Sequence, residues 1–209
     1  MKKSRKLLTM LLTIAFALSF TIQPAFASAY TDAPYNPYIN NDIETVTIDG
    51  TSYTYQYYYE NDNRAINIKN NETGHMDKLV YDKASEIILL NNSQVSFSTN
   101  AVSTPTTAAS GWESLGSSSH YISWAKATTV AAIAGMIAVY LGTLKAAGVI
   151  AAMGTTALGV LAASSGGGTV NVELQWFYAP FVTPQYRYIW SFKASTGDKY
   201  GPYISHVTM

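Results

Sequence analysis

The residues that could carry chemistry are few and scattered. Of the three histidines, His75 lies by a predicted turn, His120 precedes a long apolar region and His206 stands near the C-terminal end. No two of them share the spacing of metal ligands, and the chain has no cysteine to complete a set, so no metal site is expected. Gly111-Trp-Glu-Ser114-Leu-Gly116 approaches the nucleophile elbow, in which a serine is held on a sharp strand-to-helix turn, but its spacing differs and no strand is predicted ahead of it. Gly166-Gly167-Gly168 lacks the lysine and spacing of a phosphate loop and reads as a helix terminator before a strand. The acids fall singly on predicted strands and turns, which pairs no two of them as general acid and base. The expectation is therefore a protein that is not an enzyme, with no cofactor and no catalytic residue.

Charge says more than chemistry does. Lys2, Lys3, Arg5 and Lys6 precede an apolar core from Leu7 to Phe20 and a small-residue region ending in Ala25-Phe-Ala27 or Ala27-Ser-Ala29. That order is a secretory signal, read here as residues 1–29, and it implies a secreted protein. Its removal leaves nine basic against thirteen acidic residues, a net charge of −4. The balance is uneven. Ser28 to Ser110 carries ten acids against four bases, or −6, whereas Gly111 onward carries three acids against five bases, or +2. An acidic surface without a Lys/Arg cluster does not suit nucleic acid. An exported chain without cysteine must be held by packing.

The elements that would position any site begin with strands. In the segment 30–97, Glu44 to Ile48 alternates, Asp49-Gly50 is a type I′ hairpin signal, and Thr51 to Glu60 sets Tyr53, Tyr55, Tyr57 and Tyr59 on one face. Ala65 to Lys69, Lys78 to Tyr81, Glu86 to Leu90 and Gln94 to Ser98 extend this into an antiparallel meander of five or six strands. The tyrosine row is either the half-buried face of the sheet or a surface for stacking sugars. Residues 98–110, "STNAVSTPTTAAS", read as a linker and a site for proteolysis, dividing an acidic front segment, a candidate propeptide, from a rear segment 111–209, the candidate effector.

The rear segment opens with the least polar part of the chain. Lys126 and Lys145 bracket eighteen uncharged residues, and eighteen more follow from Ala146 to Ala163. Eighteen helical residues measure about 27 Å, just short of a bilayer core of about 30 Å. A hydrophobic helical hairpin turning at Lys145 is expected. Small residues recur every fourth position, in the rows Ala127, Ala131, Gly135; Ala134, Ala138, Gly142; and Ala147, Ala151, Thr155, Gly159, Ala163. Such rows let helices approach closely where lipid gives no hydrophobic drive between them. They are expected to face one another, leaving Val130, Ile133, Ile137, Tyr140 and Leu141 outside. Val170 to Trp176 and Tyr186 to Lys193 then alternate as a C-terminal antiparallel hairpin rich in aromatic residues.

The candidate membrane-interacting residues are Lys126, Gly135, Gly142, Lys145, Gly148, Gly154 and Gly159, with Trp176 and Trp190 as residues suited to the lipid headgroup boundary. Two readings stay open: the helices form a permanent core, or they are shielded in water and trade that shield for lipid. The fold class expected is α+β.

The order of signal, acidic hairpin-rich front, linker, "SWAKATTVAAIAGMIAVYLG", "PQYRYIWSF" and "TGDKYGPY" resembles the large unmodified secreted bacteriocin precursors of Gram-positive bacilli, the geobacillin-like type. The chain lacks the double-glycine leader of many smaller bacteriocins. The resemblance implies an antibacterial protein, and for partners an anionic bacterial membrane, a small immunity protein and further copies of the chain.

Overall fold

Positive backbone angles at short polar residues set the first sheet. The computed structural model describes residues 36–99, 111–126, 128–164, 166–177 and 185–207; the expected signal segment and residues 100–110 of the expected linker lie outside them. Asp49-Gly50, Asn61-Asp62 and Asn91-Asn92 each have φ above zero at both positions, from 48° to 86°. That is the twist a two-residue hairpin requires. The turns join β1 (Ile43–Ile48) to β2 (Thr51–Glu60), β2 to β3 (Asn63–Asn70), and β5 (Ile87–Leu90) to β6 (Ser93–Gln94). With β4 (Met76–Asp82) they make a six-stranded antiparallel sheet in the order β1-β2-β3-β4-β5-β6.

Of the tyrosine row, Tyr55 and Tyr57 are fully buried, and Tyr53 and Tyr59 pack against the same core. The row is the inner face of the sheet, because alternation puts every second side chain on one side and the other side is left to water.

The strand expected over 94–98 belongs to two sheets. The chain crosses at Val95, and β7 (Ser96–Thr99) pairs with β8 (Trp112–Ser123), so Ser98 and Thr99 are strand rather than linker. The serine-rich β8 escapes a propensity reading; its signal is the period of two in His120 and Ile122, continued by Trp124 just past the strand's end, all buried. With β9 (Gly167–Phe177), β10 (Gln185–Ala194) and β11 (Lys199–Val207) it makes a second antiparallel sheet in the order β11-β10-β9-β8-β7. The expected C-terminal hairpin is β9 with β10, extended on one edge by β11 and on the other by β8. The described elements belong to one compact unit, Thr31–Met209.

Between the strands the helices are shorter than the charge spacing suggests. Among the described residues three are present: α1 (Val130–Leu141), α2 (Ala146–Met153) and α3 (Thr155–Ser164). The α+β class stands as expected, with breaks at Gly142 and Gly154. Thr129 caps α1 by accepting from the Ala132 amide at 3.1 Å, and Gly142 ends it in the left-handed conformation at φ 74°. Nine of its twelve residues are buried, Ala131 to Val139 without interruption.

In two of the small-residue rows, positions face away from where the hairpin reading put them. A Cβ at Gly135 would fall 2.8 Å from the ends of both Ile68 and Leu79, so this row lets α1 close on β3 and β4 of the first sheet rather than on another helix. In the row on α2 and α3, Ala151 and Ala163 are exposed. Ile133 and Ile137, expected outside, are fully buried. The reason is that the apolar inner face of the first sheet is available to α1, and the large side chains go where the most area leaves water.

Gly142 is doubly constrained: its φ suits glycine, and a Cβ there would land on the Arg64 guanidinium. Gly142→Ala is expected to lower unfolding stability by about 2 kcal/mol or more, against about 1 kcal/mol for loss of the helix cap in Thr129→Ala. Urea titrations of the two variants check the order; equal losses would show that Arg64 moves aside freely.

Candidate functional site

An apolar helix can bury its sides in a core, but its ends keep unpaired backbone groups. Here the first sheet supplies their partners. At the start of α2 the Ala146 amide donates to the Tyr57 hydroxyl at 2.7 Å and the Ala147 amide to Glu44 Oε1 at 3.1 Å. Tyr57 in turn donates to Glu44 Oε1 at 2.6 Å, so one carboxylate and one phenol satisfy the helix terminus together. Lys145 pairs with Asp42 at 2.9 Å beside them. Both acids thus sit at the positive end of the helix dipole, while Arg64 lies against the C-terminal end of α1, where a cation is favoured.

Two further hydroxyls reach α1 along its length. Tyr55 donates to the Ala131 carbonyl at 3.1 Å and Tyr38 to the Ala138 carbonyl at 3.4 Å. Burial pushes the hydroxyls of Tyr38, Tyr55 and Tyr57 well above the ordinary tyrosine value, with the charge of Glu44 adding to the rise. They stay neutral donors. The acidic front segment is therefore joined to the apolar helices by directional polar contacts as well as by packing.

The predicted site residues do not come together. Lys126 is exposed, Lys145 is in the ion pair just described, and Gly135 and Gly142 pack against residues of the first sheet. Gly148 closes on Leu144 of its own chain turn, Gly154 breaks the helix at φ 83°, and a Cβ at Gly159 would meet open space. Trp176 donates to Glu113 across the strand pair at 3.1 Å. Trp190 is 1% exposed, donates to Ser205 at 3.3 Å and lies against Tyr203 with the rings tilted, which places it in the core rather than at a surface. Ser114 of the near-elbow is buried on β8 beside a register shift between Ser114 and Gly116.

Among the described residues no helix is long and apolar enough to cross a membrane, though α1 and α2 together pass that test with a bend of 110° between them. No group of three His, Cys, Asp or Glu in them could hold a metal.

A second polar locus was not anticipated as a site. His120 is 2% exposed, stacked on Tyr140 at 4.6 Å and edge-on to Tyr81 at 6.2 Å. Burial pulls its pKa down to about 4, the carboxylate of Glu86 opposing that fall only in part. Arg64 lies over the outer ring, 4.5 Å from the Tyr81 centroid. His120 thus ties β8 of the second sheet to α1 and to β4 of the first. Comparison with family models, with curated proteins and with solved structures gives no match.

Glu44→Ala leaves a buried phenol and a helix amide without their acceptor and is expected to cost about 1–3 kcal/mol. Removal of Glu60 from its half-exposed pair with Lys78 is expected to cost less than about 1 kcal/mol. Denaturant midpoints of the two variants decide; a small loss at Glu44 shows that the helix end is satisfied without it.

His120 binds a proton more readily unfolded, at the ordinary 6.5, than folded, at about 4. Its contribution is present above pH 6.5 and is lost as pH falls toward 4. Wild type is expected to lose about 2–3 kcal/mol more than His120→Phe between pH 7 and 4.5. Parallel unfolding curves across that range would refute it.

Proposed function

We propose that the chain is a secreted, non-catalytic antibacterial protein of the bacteriocin kind, held in a latent form, whose Ala/Gly-rich helices act on the target-cell membrane once the front sheet lets them go. One observation carries this reading: the acidic front segment covers α1, sets Arg64 against its C-terminal end and caps the N-terminal end of α2 with Glu44 and Tyr57. A cover that binds helix ends through charged and phenolic groups can be lost by solvation of those groups, whereas an all-apolar cover has no such release.

The magnitudes set what release demands. α1 spans about 18 Å and the bilayer core about 30 Å. For each arm to reach the expected 27 Å or so, α1 must lengthen at both ends to cover 127–144, and α2 and α3 must join across Gly154. The glycines that break the helices in water are tolerated in lipid, where unpaired backbone groups are more costly. The +2 charge of the rear segment favours an anionic surface by about 1 kcal/mol per basic residue. An immunity protein in the producing cell and self-association in the membrane belong to the same reading.

A second reading is favoured by the 110° bend and by the uninterrupted burial of Ala131 to Val139: a secreted envelope or binding protein whose helices are a permanent core. Vesicle leakage separates the two.

A protease site is introduced within residues 100–110 and dye release is measured from anionic vesicles before and after cutting. Because β7 still pairs with β8 after the cut, cleavage alone is expected to give weak leakage, and cleavage combined with Asp42→Asn and Glu44→Gln several-fold more. Equal leakage from the intact and the cut, substituted protein removes the latent reading, and none from either favours the permanent core.

A further inference from the structure

A cavity of about 220 Å³ opens where the β4–β5 turn, β8, the end of α1, β9 and β10 meet, with Tyr81, Glu86, Ser118, His120, Tyr140 and Tyr188 in its wall. Five elements from both halves of the chain build it. Three features bear on what it holds. Aromatic rings form much of the wall, with Tyr140 fixed by the contact of its hydroxyl with Ser118 at 3.0 Å and by stacking on His120. Hydroxyl and carboxylate groups stand between the rings, at Ser118, Ser119 and Glu86. The Nε2 of His120 is buried and has no hydrogen-bond partner.

A buried nitrogen without a partner costs on the order of 1–3 kcal/mol, and such groups in native proteins ask for an explanation. Trp124 Nε1 and Arg64 Nε share that condition, but neither lines this cavity. The charges nearby narrow the ligand. Glu86 repels an anion, and the Arg64 guanidinium already placed over Tyr81 opposes a second cation at that ring. What remains is a neutral molecule with an apolar face to lie on a tyrosine and hydroxyls at its edges for Ser118 and Glu86. The volume is below the usual 300–1,000 Å³ of drug-sized pockets and suits a ring of six or so heavy atoms with its substituents.

We propose that this cavity binds a single neutral sugar unit, as the end or branch of a glycan. The inference does not rest on membrane action, although the cavity shares Arg64 and the end of α1 with the helix-end contacts. It also differs from sugar stacking on the β2 tyrosine row, which is core.

The test is titration of the mature chain with glucose, galactose, mannose and N-acetylglucosamine, with choline and inorganic phosphate as the cationic and anionic alternatives, read from the ring resonances of His120 and the tyrosines. At least one sugar is expected to give saturable shifts with a dissociation constant of about 1 mM or weaker, as befits a small ligand with few contacts. Ser118→Ala, at an exposed position, is expected to weaken binding by up to about tenfold, one hydrogen bond's worth. Tyr188→Ala, half-buried at the rim, abolishes it. Should His120→Phe fail to fold, these two variants still decide. Saturation by choline or phosphate in place of sugar, no saturable shift with any of the four sugars, or sugar shifts unchanged by both variants would each overturn the proposal.

Discussion

The structure depends on two facing helix ends, the C-terminal end of α1 and the N-terminal end of α2, receiving charged and polar groups that the apolar stretch itself lacks. Between Lys126 and Lys145 there is no charged side chain, so the C-terminal end of α1 finds no cation on its own helix, and the first turn of α2 holds no acid. The first sheet supplies what is missing: a guanidinium at one terminus, a carboxylate and a phenol at the other. These partners are far away in sequence, Glu44 and Ala147 being 103 residues apart. The packed form of the helices therefore depends on contacts that only the folded front sheet supplies.

That dependence gives the charge asymmetry a physical meaning. The front segment is acidic where its acids face a helix start and Lys145, and the rear segment is basic where it presents that lysine. The Asp42 pair is partly buried, at 21% and 27% exposure, so it lies between the weak surface regime and the costly interior one. Its contribution is modest in energy. Its geometry decides more, because together with Glu44 it fixes which end of α2 faces β1.

The interior is polar at the few points where the sheets and helices meet. Tyrosine serves there because one side chain fills core volume and carries a hydroxyl to a backbone group. The same residue type that looks like a ligand surface in sequence thus becomes the means by which the sheet holds α1, through Tyr38, Tyr55 and Tyr57. His120 does the equivalent from the second sheet by stacking on Tyr140, though with one nitrogen left unpaired.

Local order was legible in the sequence. The Asp49-Gly50 turn, the alternation in β2, β9 and β10 and the helical character of the apolar stretch follow from φ preferences and from side-chain periodicity over a few residues. Strand β8 was not legible, because serines carry little strand preference and its alternation is confined to three residues. Where the helices break was decided by the tertiary structure. Five glycines are spaced through the apolar stretch, yet only Gly142 and Gly154 end a helix; Gly135, Gly148 and Gly159 stay within one. At Gly142 the distinction is made by Arg64, which packs onto it from β3, and at Gly135 by Ile68 and Leu79, which close on it. The sequence determined that this segment must leave water. Which surface receives it, and where it bends, depends on distant groups whose approach no local pattern encodes.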